Sequence, residues 1–422
     1  MKRVLIITYY WPPNGGAGVQ RWLKMAKYLP KHGWQPVVYT PENPEIITPD
    51  EALAKEVPPE AEIIKRPINE PYTFYKRLTG RKADDKVHLG FLNEGKKKSW
   101  REDLAVWVRG NAFIPDARVW WVKPSVKFLT GYLEKHPVDA IVSTGPPHSM
   151  HLIALGLKKR FPHLRWIADW RDPWTNIDFY HQLKLTARAD RKHHRLERVV
   201  LTTADVNVAV GWTMAAELDA LGARRTEVIT NGWDQADLPS PPPPVDDAYS
   251  LVHVGSMTAS RDIPQLWPLL AERCRADPAF GDKLVLRFVG PVDQQVLANI
   301  ERTGLANKVE RVGSVDHALA MREMARARVL LLSVNDSANA KGVLTSKVFE
   351  YLATGRPILA FGPTDGDVAR VLGHGHLLVD RGEEHPNTAA ITALFQRPGG
   401  GTPDKAYARE AGAERMAELL GG

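Results

Sequence analysis

Cysteine is almost missing from this chain: Cys274 stands alone among 422 residues. A single thiol excludes an intramolecular disulfide framework and fits a reducing compartment. Also lacking is any apolar run near the roughly 20 residues that a bilayer-spanning helix needs. The opening MKRVLIITYYWPPN has a basic pair and a short apolar run, but a glycine loop and an amphipathic segment follow it instead of a small-residue cleavage site. It therefore reads as a strand, not a secretion signal, and the expected location is the cytoplasm. Zinc-ligand spacing, an RNA-binding signature and a basic zipper region are all lacking, which argues against nucleic acid as a partner. The formal charge of +7 favours anionic partners in general, including nucleotide sugars, lipid phosphates and anionic membrane surfaces.

What is present is ordinary globular composition, 44% hydrophobic and 25% charged, in a chain long enough for two cores. The first half alternates the strand-like runs VLIITYY, QPVVYT, DAIVST, LRWIAD, VNVAV and EVIT with helical patterns. The second half restarts with SLVHVG, KLVLRFVG, VERVGS, RVLLLSV, PILAF and HLLVD. Alternation of this kind predicts α/β architecture: two tandem, doubly wound, Rossmann-like domains with ligands at the carboxyl ends of the strands, facing a central cleft. The proline-rich LPSPPPPVDD, Leu238–Asp247, is suited to a semi-rigid connector between them. The expected division is 1–235, 236–402 and a C-terminal helix in 403–422 that packs back on either domain.

The most informative stretch is GVLTSKVFEYLATGRPILAF, Gly342–Phe361. Thr345 and Ser346 are N-cap residue types, Gly355 is placed as a helix stop, Pro357 prevents continuation, and ILAF reads as a buried strand. A helix start carrying hydroxyls, Lys347 and unpaired backbone N–H groups is an anion site. Glu350 lies one turn further in, where a carboxylate accepts hydrogen bonds from a ribose diol. The pattern suits a nucleotide-sugar donor, and it equally suits an ordinary capped helix with a surface acid.

An insertion, 74–109, departs from the βα pattern. It carries Lys76, Arg77, Arg81, Lys82, Lys86, Lys96, Lys97, Lys98 and Arg101 with Phe91, Leu92 and Trp100 interleaved. Such a segment is either a solvated basic loop or an element meeting anionic lipid headgroups or a lipid-linked acceptor.

Four phrases, in order, resemble the family-4 retaining glycosyltransferases (glycosyl transferase group 1) of GT-B architecture. They are the glycine loop at Gly15–Gly18, VITNGWD at Val228–Asp234, VGSMTASRD at Val254–Asp262, and KVFEYLATGRPILA at Lys347–Ala360. The resemblance implies transfer of a sugar from a nucleoside diphosphate-sugar to a hydroxyl with retention of configuration, with no metal and no cofactor. Gly16 and Gly18 would then lie over the donor, Gly255 and Ser256 would follow the second domain's first strand, and Arg261 would stabilise leaving-group charge. Thr345, Ser346, Lys347 and Glu350 complete the implied donor site. In the first domain, the resemblance brings His148 to the transferring sugar. Asp169 or Asp172, in ADWRDPW, is a candidate to orient or deprotonate the acceptor hydroxyl, and an Asp–Arg network pinning that loop is the alternative. His151 reads as structural.

The chain departs from the family pattern at two positions. Ser256 stands where an arginine is usual, and Gly342 replaces the first acid of a Glu-x7-Glu pair that ends at Glu350. Both departures keep open a GT-B-fold sugar-nucleotide epimerase or hydrolase, and an inactive nucleotide-binding partner protein. As a dinucleotide fingerprint the glycine loop fails at its third position, where Arg21 replaces glycine and should disrupt close helix–strand packing. Glu42, past the second strand, keeps an oxidoreductase reading alive. The expected pathway is cell-envelope or exopolysaccharide glycan synthesis, with a glycan or lipid-linked acceptor and peripheral membrane contact through 74–109.

Overall fold

Valine, isoleucine and leucine crowd the central strands because a parallel sheet is covered on both faces. The computed structural model describes every residue except 47–48, 71–99, 178, 338, 398, 400 and 402. Most of the basic insertion therefore lies outside the described residues. Its described part is a helix, Trp100–Ala112, on which Leu104 and Trp107 are exposed.

The chain forms two units, Met1–Thr230 with Gly412–Gly422, and Asn231–Ala411. In the first, strands β1 (Lys2–Ile7), β2 (Trp34–Pro41), β3 (Glu62–Arg66), β4 (Ala140–Gly145), β5 (Arg165–Trp170), β6 (Val206–Ala209) and β7 (Thr226–Val228) form one sheet. Their order is β3-β2-β1-β4-β5-β6-β7, parallel throughout. Alternate residues of β1 serve opposite faces: Leu5 and Ile7 join one buried cluster, and Val4 and Ile6 the other. The C-terminal helix Arg409–Gly421 contributes Met416, Leu419 and Leu420 to that second cluster. Burying such a side chain is worth about 1.5–3 kcal/mol.

The second unit has strands β8 (Tyr249–Val254), β9 (Leu284–Val289), β10 (Val309–Arg311), β11 (Val329–Ser333), β12 (Ile358–Phe361) and β13 (Leu377–Val379). Their order is β10-β9-β8-β11-β12-β13, again all parallel. Strand order reverses between β1 and β4 in one sheet and between β8 and β11 in the other, the places where open α/β sheets bind ligands.

The proline-rich stretch belongs inside the second unit. Its end is fixed there because Asp246, whose side chain is 7% exposed, pairs with Arg287 at 2.6 Å and Arg326 at 2.8 Å. The chain passes between units at 230–231 and again at 411–412.

Candidate functional site

Each unit carries its own cluster of polar side chains at the carboxyl ends of its strands. In the second unit, β8 ends at Gly255, whose φ of 118° lies in the region that favours glycine. A Cβ on the neighbouring Gly290 would run into the Gly255 carbonyl, so two glycines let β8 and β9 end side by side. Ser256, exposed, follows, and its carbonyl accepts from Arg261 Nη1 at 2.9 Å. Arg261 Nε donates to Asn335 Oδ1 at 2.6 Å, beyond the end of β11. No carboxylate pairs with this half-buried guanidinium among the described residues, and desolvation pulls its pKa below the usual arginine value. The backbone of Arg261 is fixed from beneath by Ser333, whose Oγ donates to the Arg261 carbonyl at 2.6 Å. Arg381 donates in turn to Ser333 Oγ at 2.8 Å and to the Val334 carbonyl at 2.9 Å.

The helix Ser346–Ala353 packs against β8 and β11 through Tyr351. Val348, Phe349 and Tyr351 are its buried face, and Gly355, at φ 67°, ends it as expected. Thr345 occupies the N-cap position with extended dihedrals, yet its hydroxyl makes no capping bond. The Val348 N–H bonds the Thr345 carbonyl at 3.3 Å, and the helix start has no side-chain cap, the arrangement that suits an anion. Tyr351 fixes the helix in place: its hydroxyl accepts from the Val254 N–H at 2.9 Å and donates to the Leu331 carbonyl at 3.4 Å. Full burial pushes that phenol well above its ordinary pKa.

Lys347 and Glu350 meet each other, Nζ to Oε2 at 2.8 Å. Lys347 keeps about a third of its side-chain surface exposed, whereas Glu350 is nearly buried. His317 lies close enough to feel both charges, and its pKa is raised chiefly by the Asp237 carboxylate, 3.7 Å from Nε2. His253, buried on β8, has Nδ1 at 3.1 Å from the Leu331 carbonyl. Burial and then the Arg261 and Lys347 charges push its imidazole down to about 4, against the pull of the Leu331 carbonyl. Gly342 ends a short turn, Ala340–Gly342, before the helix. Arg261, Ser256, Gly255, Lys347 and Glu350 are therefore gathered at the ends of β8 and β11. Sequence reasoning missed Arg381, Tyr351 and His317. Of these only Tyr351 left a signal, a hydroxyl on the buried face of a helix, which requires a partner.

In the first unit, Gly16 is exposed at the N-cap of the helix Ala17–Tyr28, with φ 92°. A Cβ on Gly18 would come to 2.5 Å from Arg171 Nη1, so the absent side chain makes room for that guanidinium. Arg171 also donates to Thr144 Oγ1 at 3.1 Å and to the Pro146 carbonyl, and lies 5.4 Å above the Tyr10 ring. Glu42 sits exposed in the bend after β2.

Asp169 is fully buried and forms a bidentate pair with Arg21, also fully buried, Nη2 to Oδ1 at 2.7 Å. Trp22 Nε1 at 2.7 Å and Thr144 Oγ1 at 2.8 Å donate to the same carboxylate. Burial alone would raise its pKa, but the Arg21 charge and these donors hold it below the ordinary carboxylate value. So enclosed a carboxylate sits in an Asp–Arg network, the alternative read from the sequence. Its partner is Arg21 rather than Arg171. Arg21 also donates to the carbonyls of Ile229 and Thr230, so the position where glycine was missing is filled by an internal ion pair, and helix and sheet remain packed. Asp172, by contrast, is exposed.

His148 is buried and lies flat against Trp174, with ring centroids 4.9 Å apart and planes 6° from parallel. Burial holds its imidazole far below the usual histidine range, and the neighbouring His151 and Arg171 push in the same direction. His151 is fully buried, with Nδ1 2.8 Å from Ser143 Oγ, and desolvation pushes it down to about 3 against the pull of Asp169. The two imidazoles are thus neutral at ordinary pH.

No protein-family model matches the sequence, and no curated protein matches it. Solved structures do resemble it. A sucrose-phosphate synthase from Thermosynechococcus elongatus is 16% identical with a TM-score of 0.55, over 100% of this chain and 95% of that one. TarM of S. aureus, crystallised with fondaparinux, alpha-GlcNAc-glycerol and UDP, is 12% identical with a TM-score of 0.57, covering 100% of both chains. An E. coli trehalose-6-phosphate protein bound with UDP-2-fluoro glucose is 11% identical with a TM-score of 0.55, over 99% of this chain and 96% of that one. At such identities the likeness concerns architecture alone, and the architecture is the pair of Rossmann-like units shared with the GT-B glycosyltransferases.

Proposed function

We propose that this protein is a glycosyltransferase that moves a sugar from a nucleoside diphosphate-sugar to an acceptor hydroxyl with retention of configuration. The observation that carries the reading is the cationic turn at the switch point of the second sheet. There Arg261 lacks a carboxylate partner among the described residues, Lys347 is partly exposed, and the helix that Tyr351 fixes to β8 starts without a side-chain cap. Such a site suits a diphosphate, and Glu350 suits the ribose beside it. Two of the structural neighbours hold UDP or a UDP-sugar analogue, which favours the same class of donor.

In this reading the bond between the anomeric carbon and the diphosphate oxygen breaks while the acceptor oxygen bonds to that carbon on the same face. The acceptor proton passes to the departing phosphate oxygen. Arg261 and Lys347 stabilise the charge that develops there. In the second unit Ser256, Thr345 and Ser346 adjoin the diphosphate; in the first unit His148, Gly16 and Gly18 keep the roles that the resemblance implies for them. Asp172 is the remaining carboxylate candidate for orienting the acceptor. The reading routes no step through a metal or a cofactor. It places the activity in cytoplasmic cell-envelope or exopolysaccharide synthesis, with peripheral membrane contact through 74–109. No helix among the described residues is long and apolar enough to cross a membrane.

One observation favours a second reading. Gly342 offers no carboxylate where the family pattern has its first acid, and the Glu350 carboxylate is tied to Lys347. A nucleotide-binding partner protein without activity would have this composition. A thermal-shift screen of nucleoside diphosphates and their sugars, followed by anomer analysis of any product by NMR, separates the two. Stabilisation with transfer and a retained anomer supports the transferase. Stabilisation without turnover against any acceptor supports the partner protein, and no stabilisation by any of them removes both.

A further inference from the structure

The helix Ala187–Thr203 has two faces, and only the inner one is accounted for by the fold. Ala189, His193, Glu197, Val200 and Leu201 are buried. With a helical period of about 3.6 residues, the opposite face is a stripe of Arg188, Arg191, Arg195 and Arg198. All four are exposed, as is Lys192 beside them. The helix has two carboxylates, and both are engaged elsewhere. Asp190 accepts from the Tyr180 hydroxyl at 2.9 Å and lies 3.5 Å from His194, while Glu197 accepts from the Thr175 hydroxyl at 2.5 Å. None of the four guanidinium groups has a carboxylate partner among the described residues. Like charges three and four places apart weaken a helix, so the stripe does not serve stability.

The start of this helix is joined to the end of the helix Trp100–Ala112. Asn111 Oδ1 accepts from the Thr186 N–H at 2.7 Å and from Thr186 Oγ1 at 2.8 Å, and its Nδ2 donates to the Lys184 carbonyl at 3.2 Å. A Cβ on Gly110 would lie 2.7 Å from the Leu183 carbonyl, so the two segments touch. On the joined helix Leu104 and Trp107 are 39% and 43% exposed. Just beyond it Phe113 packs edge-on with Trp120, which is 57% exposed. Further along the basic helix, Arg198 borders a hollow that it shares with Leu221, another exposed apolar side chain. These four are most of the seven large apolar side chains exposed among the described residues, so arginine and apolar surface are gathered in one region.

We infer that the arginine stripe of Ala187–Thr203, with Leu104 and Trp107 on the helix joined to it, docks the first unit on an anionic bilayer surface. Guanidinium groups suit phosphate in any form, but contact with a nucleic-acid backbone would leave the leucines and tryptophans in water. A bilayer interface takes both, with headgroup phosphates on the arginines and indole rings at headgroup level. Arg188 to Arg198 spans about 15 Å of helix axis, enough to meet several headgroups at once. The inference rests on the membrane contact proposed for 74–109, which it extends to a helix outside that segment, and it is independent of whether the protein transfers a sugar.

The test is cosedimentation of the full chain with vesicles of phosphatidylcholine alone or of equal parts phosphatidylcholine and phosphatidylglycerol, with no sugar donor present. The expected result is binding to the anionic vesicles only, lost at about 1 M salt, where the Debye length is about 3 Å. Arg191→Gln/Arg195→Gln should lower the apparent affinity at least about tenfold at an unchanged urea midpoint, since each cation near such a surface contributes about fivefold. Bromine-labelled acyl chains should quench the tryptophan fluorescence of the wild type more than that of Trp107→Phe. No binding to anionic vesicles, equal binding to neutral ones, wild-type affinity in the arginine variant or equal quenching in Trp107→Phe overturns the proposal. Tighter binding to an RNA duplex than to the vesicles overturns it as well. Lys96→Gln/Lys97→Gln/Lys98→Gln separates this surface from 74–109. Loss of binding in that variant alone keeps the contact through 74–109 and overturns this one, loss in the arginine variant alone does the reverse, and loss in both supports both. Docking by a protein that transfers sugar to no acceptor leaves the inference standing while the transferase reading falls.

Discussion

At Asp169 a fully buried carboxylate meets a fully buried guanidinium, and the structural cost of losing one partner is large. Replacing Asp169 by Asn leaves Arg21 charged and unmatched, and breaking such a pair typically costs about 3–5 kcal/mol. The expected outcome is a lower urea midpoint for the first unit, largely restored by a second change, Arg21→Met. A variant that keeps its midpoint but loses turnover would return Asp169 to a chemical role. Lys347 makes the opposite case, since its ammonium is partly exposed and among the described residues pairs with Glu350 alone. Lys347→Ala removes a cation from the anion site and leaves the Glu350 carboxylate bare beside it. Nucleoside diphosphate affinity should fall at least tenfold, or about 1.4 kcal/mol, as read by calorimetry. Unchanged affinity would remove Lys347 from the site. The Lys347–Glu350 stretch was legible in sequence because capping types, charge and helix stop sit at fixed offsets. The Arg21–Asp169 pair was not: its members are 148 positions apart and only the assembled sheet brings them together.

Helices and strands were more readable than single contacts. Every strand of both sheets overlaps a stretch that sequence patterning marks, apart from β3. That strand, EIIKR, is an edge strand with two isoleucines and an exposed end, so its pattern has too little contrast. The helix Ser346–Ala353 was expected from its caps, but its attachment was not, because nothing local says that the Tyr351 hydroxyl reaches the backbone of β8. Replacing Tyr351 by Phe leaves the Val254 N–H buried without an acceptor. That change should destabilise the second unit by about 1–3 kcal/mol. It should also weaken nucleoside diphosphate binding, since the helix start loses its anchor. A stable variant with unaltered binding would show that the hydroxyl does not position the helix.

Across the whole molecule, the buried histidines set the response to acid. His148, His151, His193, His253 and His376 all have depressed values, each chiefly through burial. The unfolded chain takes up protons near the ordinary histidine value of about 6.5, while the native state resists them, down to about 4 at His253 and about 3 at His151. Stability is therefore full above about 6.5 and falls as pH drops below it, by about 1.4 kcal/mol per pH unit for each strongly depressed ring. His317 opposes this, because its raised value contributes stability at low pH that is lost as pH rises through its folded value. Unfolding free energies from urea titrations at about pH 7.5 and 5.5 should differ by several kcal/mol, with the acid sample weaker and its midpoint lower. Equal midpoints would mean that these rings are solvated in the native state. The division into two units was visible in the restart of the strand pattern, whereas the return of the chain to the first unit was not. An amphipathic helix near a terminus does not announce which sheet it will cover.

That return has a consequence for biosynthesis. Domains usually acquire their structure in the order in which the ribosome delivers them. Here Met416, Leu419 and Leu420 close one face of the earlier sheet, yet they are translated after the entire later one. The nascent amino-terminal lobe must wait with apolar surface uncovered while its successor is completed, which makes it the natural client for a holdase chaperone.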